Sequence, residues 1–338
     1  MTDASCPAQA KALPDLARKP VCRMMPRESR VGTFVVQNYV RSRGGVQLYR
    51  CMSIMLEPVT PDSLDEVAEA VAVWQHDGGP VQLHPGDLGW HWRLGAEELA
   101  EAVRVWRRDG QILAVGMVDS GLIRMAIAPS VDEDDAFASQ LLADLSDPER
   151  GVLPAGARTV EARFGAAFRN LLRRSGWVAD EPWTPLCRDL TAPVEDCGLR
   201  VEVIDAHAVP DRVAVQRASF PNSRFTLERW HTMAAASPYR RARCLVGYDR
   251  DGDAVASVTV WSAGQGRPGL LEPLGVHRDH RGHGYGTTIS VAAAAALREM
   301  GSSSATVCTP SSNVGGVATY VSARFQRLPD VTDFRRTS

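Results

Sequence analysis

The segment that most constrains the fold is residues 270–289, LLEPLGVHRDHRGHGYGTTI. An apolar strand runs into a glycine-rich turn, and the turn opens a long alanine-rich helix. Gly282, Gly284 and Gly286 alternate, so backbone N–H groups can converge on one point without obstruction by side chains. The helix N-terminus adds partial positive charge, and Arg281 stands at the mouth of the turn. The pattern predicts an anion site, for which a diphosphate is the natural ligand.

The glycine-rich turn by itself leaves a second interpretation open, in which the glycines serve only a tight strand-to-helix connection. Two nucleotide-binding motifs are excluded. The third glycine of G-x-G-x-x-G would fall on Thr287, which rules out a dinucleotide-binding fingerprint. No Gly-Lys-Ser/Thr follows the turn, which rules out the phosphate loop of nucleoside triphosphatases.

Arg281, Gly284 and Gly286 match the motif R/Q-x-x-G-x-G/A, with Val276 five residues before the arginine. The segment therefore resembles motif A of the GNAT (GCN5-related N-acetyltransferase) superfamily, with Arg278 in place of the usual proline. The resemblance implies that backbone amides of the turn hold the pyrophosphate of an acyl-CoA, and that a strand edge pairs with the pantetheine amides where two parallel strands splay apart. The implied amides belong to Gly282, His283, Gly284, Tyr285, Gly286 and Thr287, and the implied strand edge is Leu274, Gly275 and Val276.

A second match follows at the distance of the family's motif B. After a predicted strand over residues 305–309, Asn313, Gly316 and Tyr320 resemble N-x-x-A-x-x-x-Y, with Arg324 in place of a later glycine. The resemblance implies that Asn313 reaches the pantetheine arm and that Tyr320 protonates the departing thiolate. A tyrosine on a helix can also serve packing alone, but the two motifs in this order favour the catalytic role.

Direct acyl transfer also needs a base that frees the amine of its proton, and Glu272 is the best candidate. It lies four residues before Val276, on the same face of a regular strand, and burial would raise its pKa. An ordinary strand glutamate remains the alternative interpretation. His231, on a predicted helix, is a weaker candidate. No metal is expected, because the histidine-rich turn serves phosphate.

The order of elements predicts two domains of like architecture. Residues 1–54, with four prolines and an excess of arginine, are predicted to form a flexible arm. Residues 55–193 and 198–338 predict an α/β (α+β) fold of two GNAT-like domains, each a mixed twisted sheet flanked by helices. The predicted helices are 64–74, 96–107, 136–145, 166–175, parts of 209–236, 285–300 and 314–324. The predicted strands are 111–118, 122–128, 159–164, 185–190, 199–204, 244–248, 255–262, 270–276 and 305–309.

The first of these domains lacks the glycine turn. When the two are aligned at their fourth strands, Asp132 falls at the position of Arg281, and residues 131–135 hold four carboxylates where a diphosphate would lie. The first domain is therefore predicted to keep the fold, to lack the cofactor and to form one wall of the acceptor groove. A chance alignment with another α/β domain is the alternative.

Several aromatic side chains have two possible roles. Trp74, Trp90 and Trp92 either line an acceptor or acyl pocket or pack the core of the first domain. Phe220 and Phe225 lie in the helical region that GNAT folds use to cover the acceptor. None of these residues identifies the substrate.

Together the motifs predict an N-acyltransferase that moves an acetyl or longer acyl group from acyl-CoA to a primary amine of a small molecule, such as an amino sugar, an antibiotic or a metabolite. The alternative is a non-catalytic CoA-binding regulator. The net charge of −2 and the lack of a long apolar run argue against nucleic acid and membrane partners. Seven scattered cysteines fit a reduced, cytoplasmic protein. A monomer and a homodimer are equally open.

Overall fold

The computed structural model describes residues 39–42, 45–48, 53–154, 156, 158–205 and 208–336. Strands β1 (Tyr39–Ser42) and β2 (Gly45–Leu48) pair as an antiparallel hairpin, which the sequence pattern does not predict. The rest of the predicted arm, up to residue 52, lies outside the described residues. The elements that follow all belong to a second compact unit, Ile54–Ser338.

The first half of the larger unit begins with a short strand and three helices. Its elements are β3 (Met55–Glu57), α1 (Leu64–Val73), α2 (Pro85–His91), α3 (Ala96–Ala102), β4 (Val103–Arg108), β5 (Gln111–Asp119), β6 (Leu122–Ile127), α4 (Asp135–Ser146), β7 (Thr159–Glu161), α5 (Ala166–Arg174) and β8 (Trp177–Asp189). The prediction of one helix over residues 96–107 is wrong, because α3 ends at Ala102 and β4 begins at the next residue. Val105 and Trp106 pair with β5, and sheet packing overrides their helical spacing.

The second half repeats the order of strands and helices. Its elements are β9 (Arg200–Val203), α6 (Val209–Ser219), α7 (Leu227–Ala234), β10 (Ala242–Tyr248), β11 (Ala254–Ser262), β12 (Gly269–Val276), α8 (Tyr285–Glu299), β13 (Ser304–Pro310), α9 (Val314–Ser322), β14 (Gln326–Arg327) and β15 (Val331–Arg336). The remaining predicted helices and strands are confirmed with shifted ends. The sequence patterns do not predict β3, α2, β14, β15 or the first part of β8. Among the described residues, no helix is both long and apolar enough to cross a bilayer.

One mixed sheet of 13 strands runs through both halves, in the order β3-β4-β5-β6-β7-β15-β8-β13-β12-β11-β10-β9, with β14 paired to β8. In each half, four strands pair antiparallel, β3 to β6 in the first and β9 to β12 in the second. The last strand of each set then pairs parallel with the next strand, β6 with β7 and β12 with β13. Strand β8 belongs to the first half in sequence but pairs with β13, and β15 at the end of the chain pairs with β7. The halves therefore share strands, and a boundary between residues 193 and 198 does not separate two closed sheets.

Helix α2 carries a close contact between the halves. The Nδ1 atom of His84 accepts a hydrogen bond from the Gly86 N–H (2.9 Å), and its Nε2 lies 3.3 Å from the Pro268 carbonyl. Burial lowers the pKa of His84 to about 4, so the ring is neutral and can accept at one nitrogen while donating at the other. Glycines on this helix let its backbone lie directly on Trp261: a Cβ added to Gly89 would stand 2.3 Å from a ring carbon.

We expect Gly89→Ala to lower the free energy of unfolding by about 1–3 kcal/mol, the usual cost of overpacking a core. The Trp261 ring cannot readily turn away, because it is fully buried and its Nε1–H donates to the Glu272 carbonyl (2.7 Å). Urea denaturation measures the difference. Gly315→Ala is the matched control, since Gly315 also lies in a helix but faces open space, and it should keep or raise stability. Equal stability of Gly89→Ala and the wild type would contradict the close contact.

Candidate active site

A cavity of about 630 Å³, which we call the cradle cavity, opens between the end of β12, the glycine turn and α9. Two residues of the predicted site, Glu272 and His283, are not part of its lining, and the structure brings all the others together there. The lining consists of Ser219, Phe220, Leu274, Gly275, Val276, Arg281, Gly282, Gly284, Tyr285, Gly286, Thr287, Asn313, Gly315, Gly316, Thr319 and Tyr320.

The three glycines of the turn have different physical roles. Gly282 and Gly284 have left-handed backbones, with φ of 84° and 83°, and a Cβ on either would meet no protein atom within 4 Å. Gly286 instead permits close packing, because a Cβ there would lie 2.9 Å from Thr319 Cγ2. No side chain caps the N-terminus of α8. The turn thus leaves an open helix N-terminus with space in front of it, which fits a diphosphate.

The edge of β12 beside the cavity is free of a strand partner on the β13 side. Strands β12 and β13 pair only at Gly269–Ala305 and Leu270–Thr306, and then separate. Strand β13 continues along β8 on its other edge. Backbone groups of residues 274–276 therefore remain available to an extended ligand with amides of its own, as pantetheine has.

Arginines tie the glycine turn to the end of α6. Arg281 lines the cradle cavity while its Nη2 donates to the Ser219 carbonyl (2.9 Å). Arg278 donates to the carbonyls of Ala218 (2.9 Å) and Arg217 (3.2 Å) but does not line the cavity. A helix C-terminus favours such cations. Both side chains therefore hold the turn in place, and only Arg281 also faces the cavity.

His283 and Asn313 support the cavity through local structure. The ring of His283 stacks on the ring of Tyr285, with centroids 5.9 Å apart, and His283 does not line the cavity. The Oδ1 atom of Asn313 accepts from the Gly316 N–H (3.1 Å), and its Nδ2 donates to Thr309 Oγ1 (3.1 Å). The asparagine therefore begins helix α9, and its amide keeps one further proton and lone pairs for a ligand.

Tyr320 lies on α9 where it faces the cradle cavity. Its side chain is 8% exposed and packs on Phe325, with ring centroids 5.8 Å apart. Its hydroxyl makes no hydrogen bond to the described residues. Burial raises the pKa of Tyr320, and the nearby charge of Glu272 raises it further. The phenol therefore stays protonated at neutral pH, which is the state that a general acid requires.

Glu272 lies in a β-bulge. The register of β12 against β11 shifts within the strand, so that Glu272 and Pro273 together stand opposite the single residue Thr259. Such a bulge re-aims side chains. The prediction that Glu272 shares a regular strand face with Val276 is therefore wrong. Pro273 was an available sequence signal, because a proline inside a central strand cannot donate to the ladder and is typical of bulges.

The surroundings of Glu272 suit it to accept a proton near neutral pH. Burial raises the pKa of Glu272 to about 7, and the charges of Asp87 and Glu161 act in the same direction. The guanidinium of Arg124 opposes them. A carboxylate with a pKa near the working pH is well matched to general base catalysis.

A buried network of ion pairs, four of whose five residues belong to the first half, includes charges that act on this glutamate. Arg124 lies 2.8 Å from Asp87 and 3.1 Å from Glu161, and Arg163 lies 3.7 Å from Glu161 and 2.9 Å from Asp333. The network holds three carboxylates and two guanidinium groups, so it has an excess of negative charge. The sequence patterns did not predict this network. Arg124, alone among apolar residues in LIRMAI, was the available signal.

The first half fills its own helix N-termini with carboxylates. Asp134 Oδ1 accepts from the Phe137 N–H (2.9 Å) at the start of α4. Asp132 accepts from the N–H groups of Gly165 (2.9 Å) and Ala166 (3.4 Å) at the start of α5. Because α4 occupies the place that α8 has in the second half, the chain itself supplies the anion there. These caps are a physical basis for the prediction that the first half lacks the cofactor.

The other candidate residues from the sequence, His231 and three tryptophans, lie in different parts of the structure. His231 is exposed on α7 and lines neither the cradle cavity nor the cavity that holds Trp90. Trp74 and Trp92 pack against the core of the first half. Trp90 lines a second cavity, together with Phe220 and Phe225. Of the three tryptophans, only Trp90 lines the cavity that shares Phe220 with the cradle cavity.

Comparisons with known proteins agree with this geometry. Residues 210–324 match the model of the acetyltransferase (GNAT) family. A GCN5-related N-acetyltransferase from Sphaerobacter thermophilus is 17% identical, with 84% of this chain and 95% of that one covered and a TM-score of 0.50. An acetyltransferase from the GNAT family from Colwellia psychrerythraea is 13% identical, with 84% and 100% covered and a TM-score of 0.56. A tandem GNAT protein from the clavulanic acid biosynthesis pathway is 13% identical, with 83% and 98% covered and a TM-score of 0.52.

No curated protein matches the chain in sequence. The solved structures share the fold over both halves, which establishes a tandem arrangement of GNAT-like folds. Residues 210–324 are the part of the chain that matches the GNAT family model. The GNAT fold implies an acyl-CoA co-substrate, and the cradle cavity fits one.

Proposed function

We propose that this protein transfers an acetyl or longer acyl group from acyl-CoA directly to a primary amine of a small molecule. One observation carries the proposal: the cradle cavity joins the open N-terminus of α8, the unpaired edge of β12 and the hydroxyl of Tyr320. This combination suits a ligand with a diphosphate at one end, amides in the middle and a thioester at the other end.

Each part of the cavity has a role in that reaction. The turn amides from Gly282 onward hold the pyrophosphate, and residues 274–276 hold the pantetheine arm. The acyl-CoA supplies an activated carbonyl as its thioester. An N–C bond forms and a C–S bond breaks. Glu272 takes the proton of the attacking amine, directly or through water, and Tyr320 donates a proton to the departing sulfur.

The network around Glu272 favours an amine at this position. With Asp87, Glu161 and Asp333 against Arg124 and Arg163, its excess negative charge attracts an ammonium group before that group loses its proton. An amino sugar, an antibiotic or a metabolite fits this description. We propose the cytoplasm as the location, since the chain's scattered cysteines favour a reducing compartment.

A CoA-binding regulator without catalysis is the second candidate. It is favoured by one observation, that Glu272 does not line the cradle cavity. Thiol release from acetyl-CoA over a panel of primary amines separates the two. We expect release that depends on both the amine and the protein. Tight binding of acetyl-CoA without release for any amine would favour the regulator.

A further inference from the structure

A second cavity, of about 490 Å³, lies between the end of α2 and the connection from α6 to α7. Three arginines line it, Arg93, Arg224 and Arg229, and we call it the arginine pocket. No carboxylate is part of its lining. Trp90 and Phe225 form an aromatic wall, with ring centroids 5.2 Å apart. The pocket is therefore a cationic site with an apolar side.

Arg93 forms no ion pair with the described residues. Its guanidinium carbon lies 4.3 Å from the centroid of the Trp90 ring, and its Nη1 donates to the Trp90 carbonyl (2.6 Å). None of the ion pairs among the described residues involves Arg93, Arg224 or Arg229. Burial lowers the pKa of Arg93 to about 10, the charge of Asp119 opposes this shift, and the charge of Arg229 adds to it. A partly buried cation of this kind gains from an anion supplied by a ligand.

The arginine pocket is connected to the site of acyl transfer. Phe220 lines both this pocket and the cradle cavity. Glu272 lies close enough to both sides that its charge raises the pKa of Tyr320 and that of Arg93. The charge of the proposed base therefore acts on one residue of each cavity.

Resting on the proposed function, we propose that the arginine pocket binds an anionic group of the acceptor, a carboxylate or a phosphate, so that the preferred acceptors are primary amines that carry such a group. Guanidinium groups pair with either anion through two parallel hydrogen bonds. The ring of Trp90 covers the aliphatic part of such a molecule. Amino acids and aminoalkyl phosphates have this chemistry.

The opposite charges of the acidic network and the arginine pocket orient the acceptor. The network of Asp87 and Glu161 repels an anion and attracts the amine, whereas Arg93 and Arg229 do the reverse. An acceptor with one positive and one negative end is therefore held in a single direction. The amine reaches Glu272 because the anion is held at the arginine pocket.

The test uses matched acceptors that differ only in the anion: 4-aminobutyrate against butylamine, and 2-aminoethyl phosphate against ethylamine. Thiol release from acetyl-CoA gives kcat/KM for each. We expect the acceptor that carries the anionic group to exceed its partner without that group by at least about 10-fold, as a charge-assisted hydrogen bond contributes. The carboxylate pair and the phosphate pair show which anion the pocket prefers.

Substitutions in the arginine pocket test whether the preference for anionic acceptors arises there. Arg93→Gln and Arg229→Gln should each reduce the ratio of kcat/KM with the anionic group to kcat/KM without it by about 10–100-fold. Arg93→Lys should retain part of the ratio, because it keeps the charge but not the forked geometry. Arg174→Gln is the control: Arg174 is an exposed arginine at the end of α5 that lines neither cavity, and this variant should keep the wild-type ratio.

Failure of this inference and failure of the proposed function give different results. Turnover with no preference for the anion, or a preference that Arg93→Gln leaves intact, overturns the inference alone. If no amine is acylated, calorimetry of the same amines with the CoA-loaded protein decides the inference separately. Binding of the anionic members that is lost in Arg93→Gln supports it, and equal or absent binding overturns it.

Discussion

Replacing Glu272 by glutamine should lower kcat/KM by about 10²–10⁴-fold, the range for losing a general base. The amide keeps the size of the side chain but cannot accept the amine proton. Since burial raises the pKa of Glu272 to about 7, the wild-type rate should rise with pH below 7 and level off above it. A profile of kcat/KM against pH measures both effects. The limb near pH 7 should be absent from Glu272→Gln.

The same substitution should stabilise the folded protein at alkaline pH. The folded-state pKa of Glu272, about 7, lies above the value of 4.5 for an unperturbed glutamate, so folding favours the protonated form. Stability from this group is fully present below pH 4.5 and is lost as the pH rises through 7. Glutamine has no proton to lose, so the variant should gain about 1–3 kcal/mol over the wild type at pH 8.

Glu228→Gln is the matched control for both measurements. Glu228 is exposed on α7, and its substitution should leave the pH profile and the free energy of unfolding nearly unchanged. A wild-type pH limb that persists in Glu272→Gln would show that another group is the base. Lower stability of Glu272→Gln at pH 8 would contradict the electrostatic account of this site.

Tyr320→Phe should reduce kcat by about 10²–10⁴-fold while the affinity for CoA changes little. The substitution removes only the hydroxyl. The ring keeps its contact with Phe325, and no hydrogen bond to the described residues is lost. The expected defect therefore lies in the protonation of the departing sulfur rather than in binding or folding.

Steady-state thiol release and calorimetry with CoA separate these effects. A second variant, Phe325→Leu, changes the packing partner of Tyr320 and keeps the hydroxyl, so it serves as the control for packing. A rate that is unchanged in Tyr320→Phe would show that this tyrosine only packs. An equal loss in both variants would point to the position of the ring instead of its proton.

The cradle cavity could be predicted because its sequence signals are local. The glycines of the turn, the strand before it and the helix after it are neighbours in sequence, and positive φ at Gly282 and Gly284 is a local requirement that glycine meets at no steric cost. For the same reason the acidic residues 131–135 indicated that the first half lacks a cradle. The structure adds the cause, since Asp134 caps α4 from within the chain.

Features that depend on distant pairing could not be read from one sequence. Strands β8 and β15 are shared between the halves, and neither carries a local signal for its partner. The Arg163–Asp333 ion pair joins residues far apart in the chain. Residues 96–107 have helical spacing, but their second half pairs with β5. In each case tertiary contacts decided between local alternatives.

Calorimetric titration with acetyl-CoA tests the assignment of the cradle most directly. We expect one binding site per chain, because the first half caps its own helices. Arg281→Glu places a carboxylate at the mouth of the turn and should raise Kd by at least about 100-fold. Arg174→Glu is the control for the change of charge, since Arg174 is exposed at the end of α5 and does not line the cavity, and it should retain the wild-type affinity. Two sites per chain, or an unchanged Kd in Arg281→Glu, would contradict a single diphosphate cradle at this turn.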